Sequence, residues 1–283
     1  MTFTTDPFTG NLRLIAPERA KRLELVQDGC PFCVGNEHLT PAESWRSSDP
    51  GTGAWLARSF PNMFPLVDGI HDVLVPTPRH VTSLRELTDL EWLQLAELWT
   101  VSHARLTLGL TADQSVLIFC NDGPGAGASI EHVHAHAAVV PAISLAERIG
   151  RVSATDTCPS CAVSVDTALH VASIDGCVIA AHPAPIASQG LVMTSKEHES
   201  ALPRVATLAR AMSAAVDATP PGTDLNIWLI SDFRAACHWY MEIMPRTGYL
   251  AGMELALGTG VTTVTPVDAA VSARARLATH AQA

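Results

Sequence analysis

The chain has 283 residues and a formal net charge of −10, with 47% hydrophobic and 16% charged residues. That balance excludes a disordered chain, and the acidity argues against a nucleic-acid backbone as partner. No run approaches the roughly 18 apolar residues of a membrane span, and the opening MTFTTDPFTG has no basic stretch leading into an apolar one, so a cytoplasmic address without a membrane partner is expected.

In chain order, the cations Arg19, Lys21 and Arg22 come first. Such a cluster is either a solvated face or a small phosphate site. The pair Cys30/Cys33 follows in GCPFC, then a strand-like run DVLVPT that leads to His80. In LTDLEWLQLAELWTVSHARL, Leu90, Leu93 and Leu98 give a helical apolar face, and Thr88 or Asp89 is placed to cap its start. SVLIFC reads as a strand. The glycines of GPGAGAS then permit a tight loop whose backbone N–H groups approach a phosphate. His132, His134 and His136 alternate with Val133 and Ala135 and lead into HAAVVP. Residues two apart on a strand share a face, so the spacing predicts three imidazoles on one side.

A second pair, Cys158/Cys161, lies in TCPSC and is followed by LVMTSKEHESAL with His198. The stretch ESALPRVATLARAMSAAVDA reads as a helix that stops at Pro220, Pro221 and Gly222. The strand-like LNIWLISD then precedes CHWYMEIMPR with His238. The order of the first half is thus repeated: Cys-x-x-Cys, a histidine after a strand, a second strand, a histidine. A duplicated unit accounts for this. The expected class is α+β, with two tandem modules, 1–145 and 150–283, each a mostly antiparallel sheet with packed helices.

Seven cysteines in a chain of this kind do not suggest a disulfide framework. Thiolate sulfur and imidazole nitrogen suit tetrahedral zinc. The predicted sets are Cys30, Cys33, His80 and His132, and Cys158, Cys161, His198 and His238. Both are closed, so Zn2+ at two structural sites holds the fold. A redox role is disfavoured because no βαβ context opens a helix at either pair. Cys120, Cys177 and Cys237 read as buried small hydrophobes. With His132 anchored, His134 is placed as a nucleophile, its tautomer fixed by a backbone carbonyl on the other ring nitrogen. Tyr240 and Glu242 stand at the matching positions of the second half, which predicts one active site per chain. A metal site on the strand, or a structural role, is the alternative for His134 and His136.

Several segments together resemble the galactose-1-phosphate uridylyltransferase family of the histidine-triad superfamily, with its sugar-nucleotide and dinucleotide phosphorylase relatives. They are DPFTGNLRLIAPERAKRL, CPFCVGNE, WLARSFPNMFP, GIHDVLVPTPRH, NDGPGAGASIEHVHAH and GMELALGTGVTTVTPVDAA. The resemblance implies tandem histidine-triad-like modules and a two-step transfer in which His134 takes a nucleotidyl group from a nucleotide sugar and passes it to a second phosphate. It implies that Arg19 and Arg22 bind phosphates, that Asn62 and Phe64 contact the nucleoside, and that Asn121 and Ser129 hold the ribose and α-phosphate. Ser129 and His136 would stabilise the transferring phosphoryl group, Glu254 would contribute to substrate binding, and the chain would form a homodimer. Transferases of the family usually carry Gln where this chain has His136. A third histidine is typical of histidine-triad hydrolases and some dinucleotide phosphorylases. The acceptor is therefore sugar 1-phosphate, orthophosphate or water, and with either of the last two the chain would be a phosphorylase or hydrolase of dinucleotide polyphosphates or nucleotide sugars. A nucleotide-binding protein without chemistry is the remaining class, though it would be expected to lose His134 first.

Overall fold

The computed structural model describes residues 2–7, 12–17, 29–141, 158–199, 201–231, 239–249 and 251–280. Strands β1 (Thr2–Thr5) and β2 (Leu12–Ile15) form a separate antiparallel pair. The rest of the first half supplies β3 (Trp45–Ser48), β4 (Trp55–Pro61), β5 (His71–Val75), β6 (Gln114–Asp122) and β7 (Ala135–Pro141). The second half supplies β8 (His170–Ile174), β9 (Cys177–Ala181), β10 (Leu191–Ser195), β11 (Leu225–Ile230) and β12 (Tyr240–Pro245). The described helices are α1 (Asp89–Thr107), α2 (Pro159–Val165), α3 (Val205–Asp217), α4 (Gly252–Leu257) and α5 (Pro266–His280).

Strands β3 to β12 join in one antiparallel sheet of order β3-β4-β5-β7-β6-β11-β12-β10-β9-β8. Read inward from either edge the connectivity is the same: three successive strands, then the fifth, then the fourth. The class is α+β, and the halves meet where β6 pairs with β11, from Asp122↔Leu225 to Leu117↔Ile230. The chain segment between the two halves, including 145–150, lies outside the described residues.

Side-chain alternation sends β-strand residues to two different layers. Ala57, Leu74, Ala135, Ala137, Ile227 and Leu229 pack with α1, α3 and α5 in one apolar core. On the opposite face, Phe32, Trp55, Phe60, Val73 and Val75 form a smaller cluster. The candidate site is on that opposite face.

Helix α1 starts where its sequence predicts. The Thr88 side chain accepts from Glu91 N–H and Glu91 reaches back to the Thr88 N–H, a reciprocal cap. Its buried face is Trp92, Leu95, Ala96, Leu98 and Trp99, spaced by three and four residues. Leu98 is part of that face, but Leu90 is 52% exposed and Leu93 only half-buried. The cap sets the phase of the helix, and that phase turns Leu90 in the first turn to solvent. Arg85 links α1's entry to the second half: its guanidinium donates to Val216 O (2.9 Å) and Pro220 O (3.0 Å), at the end of α3. A cation there meets the negative end of the helix.

The second cysteine pair bears on the redox alternative. Cys158 is the N-cap of α2, with Pro159 in its first turn, so this pair does open a short helix. Pro tolerates that position because its missing N–H is unneeded there. The sheet around it is antiparallel, not the βαβ setting of a redox motif.

Glu91 also joins α1 to the segment after β5. Its carboxylate accepts from Arg79 Nη2 (2.7 Å) and from Thr88 N (2.8 Å), and it bonds the Thr77 hydroxyl. Burial alone would raise its pKa, but the bonds from Arg79, Thr77 and Thr88 outweigh it and hold Glu91 down at about 2, from an ordinary 4.5. A depressed carboxylate contributes stability that is fully present above about 4.5 and is lost as pH falls toward 2. Glu91→Gln is therefore expected to cost roughly 2–3 kcal/mol at pH 7, with a penalty that shrinks on acidification. Urea unfolding of both proteins at pH 7 and pH 3 measures it, and an unchanged penalty at the lower pH contradicts the assignment.

Candidate active site and metal centre

Cys30 and Cys33 lie in a turn before β3, His80 follows β5, and His132 precedes β7. Their ligand atoms all lie within 4.8 Å of one another. His132 Nδ1 is 3.4 Å from Cys30 Sγ and 3.7 Å from Cys33 Sγ, and His80 Nδ1 is 3.3 Å from Cys33 Sγ. For metal bonds of about 2.3 Å to sulfur and about 2.1 Å to nitrogen, tetrahedral geometry sets the S···N edge near 3.6 Å. The four groups therefore fit one tetrahedral ion. The other nitrogen of His132, Nε2, donates to Thr77 O at 3.0 Å, which leaves the Nδ1 lone pair facing the sulfurs. Burial pushes the His132 pKa down to about 4, so this ring is neutral, as a ligand must be. Burial and the neighbouring Cys30 push the Cys33 thiol up to about 11. A cation is what such paired sulfurs require to become thiolates.

The turn that carries the cysteines is held from behind. Arg58 on β4 is fully buried, donates to Pro31 O (3.1 Å) and Thr40 Oγ1 (3.0 Å), and lies over the rings of Trp55 and Phe60. Glu43 balances its charge at 3.6 Å. Phe32, from the same turn, meets His134 edge-on with ring centroids 5.1 Å apart.

The second set is arranged alike as far as it is described. Cys158, Cys161 and His198 cluster within the same 4.8 Å limit, with Cys161 Sγ 3.2 Å from His198 Nδ1. His238 lies outside the described residues, as does Cys237.

The histidine run differs from the expected continuous strand. β7 begins at Ala135, so His132, at a bend, and His134 precede the strand and only His136 is in the ladder. All three still project to the site side. His134 is buried, and its Nδ1 donates to His132 O at 2.7 Å. That bond puts the proton on Nδ1 and the lone pair on Nε2. His136 stands beside it, ring centroids 5.0 Å apart, stacked on Phe119 at 4.9 Å. Its Nδ1 is 3.2 Å from Nε2 of buried His71.

His134, His136, Ser129, Asn62 and Phe64 line one cavity of about 440 Å3, with Phe32 on its wall. That volume suits a nucleotide-sized ligand. Asn62 is folded into its own turn, its Oδ1 accepting from Phe64 N at 2.8 Å. Other expected residues are elsewhere. Asn121 does not line the cavity, and its Oδ1 accepts from Asn226 across the central seam at 2.9 Å. Glu254 lines a separate small cleft with Arg246 and Tyr249. Arg19 and Arg22 lie outside the described residues, and among those described no Arg or Lys lines the cavity.

The glycine loop is also used differently from the expected phosphate cradle. Gly125 N–H donates to Asp224 Oδ2 at 2.5 Å. A Cβ on Gly123, whose φ is +90°, would lie 2.2 Å from the Asp224 carboxylate. Glycine is required there by the close approach of the second half, and the cavity is reached only from Ser129 onward. Cys120 and Cys177 are buried, as expected of small hydrophobes. His71 and Arg58 fall in the family-like segments GIHDVLVPTPRH and WLARSFPNMFP, but their roles, like that of Asp224, come from partners that no spacing rule pairs with them.

No protein-family model matches the chain. A 172-residue stretch is 24% identical to ADP-glucose phosphorylase of Arabidopsis thaliana and covers 49% of this chain and 48% of that protein, so the match spans about half the length of the curated relative. Among solved structures, an ADP-glucose phosphorylase from Arabidopsis thaliana with bound ADP-glucose superposes with TM-score 0.75 at 20% identity, over 96% of this chain and 97% of that one. A uridylyltransferase superposes with TM-score 0.77 at 23% identity, over 99% of both chains. The chain has the fold shared by these proteins, the fold that its sequence resemblance indicated.

If the first set holds a metal, Cys33→Ser and His80→Ala each lower the metal content of purified protein by one equivalent per chain, measured by elemental mass spectrometry. Zinc added to metal-free protein is expected to release protons and to bind more weakly as pH falls, because the Cys33 thiol must ionise. Unchanged metal content in both variants contradicts the site.

Proposed function

We propose that the protein transfers a nucleotidyl group from a nucleotide sugar to a second phosphate through a covalent bond to His134. The observation that carries this reading is the 2.7 Å bond from His134 Nδ1 to His132 O, made by a ring that lines the cavity. It directs the nucleophilic lone pair to Nε2 and shares the positive charge that the ring acquires once Nε2 bonds to phosphorus. In the first step Nε2 attacks the α-phosphorus, the bond to the bridging oxygen breaks, and sugar 1-phosphate leaves. In the second, an oxygen of the acceptor phosphate attacks the same phosphorus and frees Nε2.

Phe32, Asn62 and Phe64 are placed to enclose the nucleoside, and Ser129 and His136 to hold the phosphoryl oxygens. Zn2+, when bound by Cys30, Cys33, His80 and His132, supplies a rigid anchor for the approach to β7. The Cys158, Cys161 and His198 set, completed by His238, is the corresponding anchor of the second half. Phosphate charge is assigned to Arg19 and Arg22. Asn121, which does not line the cavity, acts through the seam, and Glu254 is assigned to an acceptor site completed by a second copy. The exposed side chains of Tyr249, Met253, Leu255 and Leu257 support a homodimer contact there. No described helix is long and apolar enough to cross a membrane.

Sugar 1-phosphate is the acceptor in this reading. Orthophosphate is the second reading, favoured by His136 in place of glutamine and by the sequence match to ADP-glucose phosphorylase. Intact-protein mass after brief incubation with UDP-glucose or ADP-glucose tests both. A nucleotidyl-sized adduct is expected on wild type and absent from His134→Ala, whose turnover falls by at least about 10³-fold. Clearance of the adduct by sugar 1-phosphate or by orthophosphate identifies the acceptor. No adduct with either donor contradicts the proposal.

A further inference from the structure

We infer that His71 is a positioning residue that sets which nitrogen of His136 carries the proton, and so makes His136 a hydrogen-bond donor toward the phosphoryl group. The catalytic consequence rests on the transfer reading above; the proton placement rests on hydrogen-bond direction alone.

The direction is set at a backbone amide. Leu66 N–H donates to His71 Nδ1 at 2.9 Å. An N–H cannot accept, so His71 Nδ1 carries the lone pair, and the single proton of the neutral ring is on Nε2. Protonating both nitrogens would set two donors against each other at Leu66. His71 is only 3% exposed, which further disfavours the charged ring.

His71 Nε2 is 3.2 Å from His136 Nδ1. Asn62 Nδ2 is also nearby at 3.4 Å, but its amide is oriented by the bond from Phe64 N–H to Oδ1, so it presents hydrogens there. The His71 N–H therefore goes to His136. Nδ1 of His136 accepts it, and the His136 proton is on Nε2.

Packing keeps the rings in this relation. His136 pairs across the sheet with Val73 on one side and Phe119 on the other, and its ring stacks on Phe119 at an interplanar angle of 25°. The result is two adjacent imidazoles in opposite tautomers. His134 has its proton on Nδ1 and its lone pair on Nε2, while His136 has its lone pair on Nδ1 and its proton on Nε2. One is set to attack phosphorus, and the other to donate to an oxygen that gains charge as the bond breaks. A neutral glutamine gives such a donor by covalent structure; a histidine needs a neighbour to define it.

Three substitutions separate this role from packing. Gln at position 71 can accept from Leu66 with its carbonyl and donate to His136 with its amide. Glu has nearly the same shape but only accepts, so it draws the His136 proton to Nδ1. Leu does neither. With 15N-labelled histidine rings, assigned through His136→Gln, wild type is expected to show His136 Nδ1 unprotonated and Nε2 protonated, with the reverse in His134. His71→Gln keeps this pattern and stays within about threefold of wild-type kcat. His71→Leu and His71→Glu lose the pattern, with kcat down about 10–100-fold, the range of lost orienting partners, and the KM for the donor nearly unchanged. A protonated Nδ1 on wild-type His136 overturns the inference, and so does His71→Gln losing as much kcat as His71→Leu. The expected ring pattern without turnover of any donor upholds the proton placement and overturns the transfer reading instead.

Discussion

His132 takes part in three separate constraints at once. Its Nδ1 faces the sulfurs of Cys30 and Cys33, its Nε2 donates to Thr77 O, and its carbonyl accepts the ring proton of His134. Moving any one of these moves the others, because only Val133 separates residues 132 and 134. The cysteine turn is itself braced by Arg58 and supplies Phe32 to the cavity wall. The cysteine cluster, the wall and the histidine pair are therefore one mechanical unit. A metal in that cluster acts on the chemistry only through position, since its ligand set is closed.

The site is correspondingly poor in permanent charge. Among the described residues its wall is aromatic, aliphatic and imidazole with the neutral polar groups of Thr40, Asn62 and Ser129, the acid Glu131 and no Arg or Lys. Neutral donors in a sheltered cavity discriminate by direction more than by attraction. In the transfer reading proposed above, hydrogen-bond polarity is then decisive: an imidazole with its proton on the wrong nitrogen would present a lone pair to a phosphate oxygen, which repels it.

The sequence makes the local part of this architecture legible and little of the rest. The cap at Thr88, the strands SVLIFC and HAAVVP, and the grouping of Cys30, Cys33, His80 and His132 follow from spacing, periodicity and residue chemistry. Leu90 departs from the expected apolar face because periodicity gives a helix's face without its phase, which here is set by the cap and by the partner α3. The helix at Cys158 depends on a proline tolerated at a first turn. The glycines of GPGAGAS suggest a ligand loop, yet their partner is Asp224, about a hundred residues on. His71 and Arg58 sit in family-like segments, and Asp224 in none, but no spacing rule marks any of the three as a site residue. What distinguishes them is a partner that topology brings near, and topology is not written in any local pattern.

The central pairing of β6 with β11 has a further consequence. Equivalent strands of two repeated units lie antiparallel there, which is the symmetry of an isologous dimer of half-length chains. In such a dimer the loop before the histidines would be ordered by a partner only at sufficient concentration. Here Asp224 arrives on the same chain, so the contact is governed by a linker and not by mass action. Dilution cannot dissolve this seam, and each chain brings the brace for its own histidines.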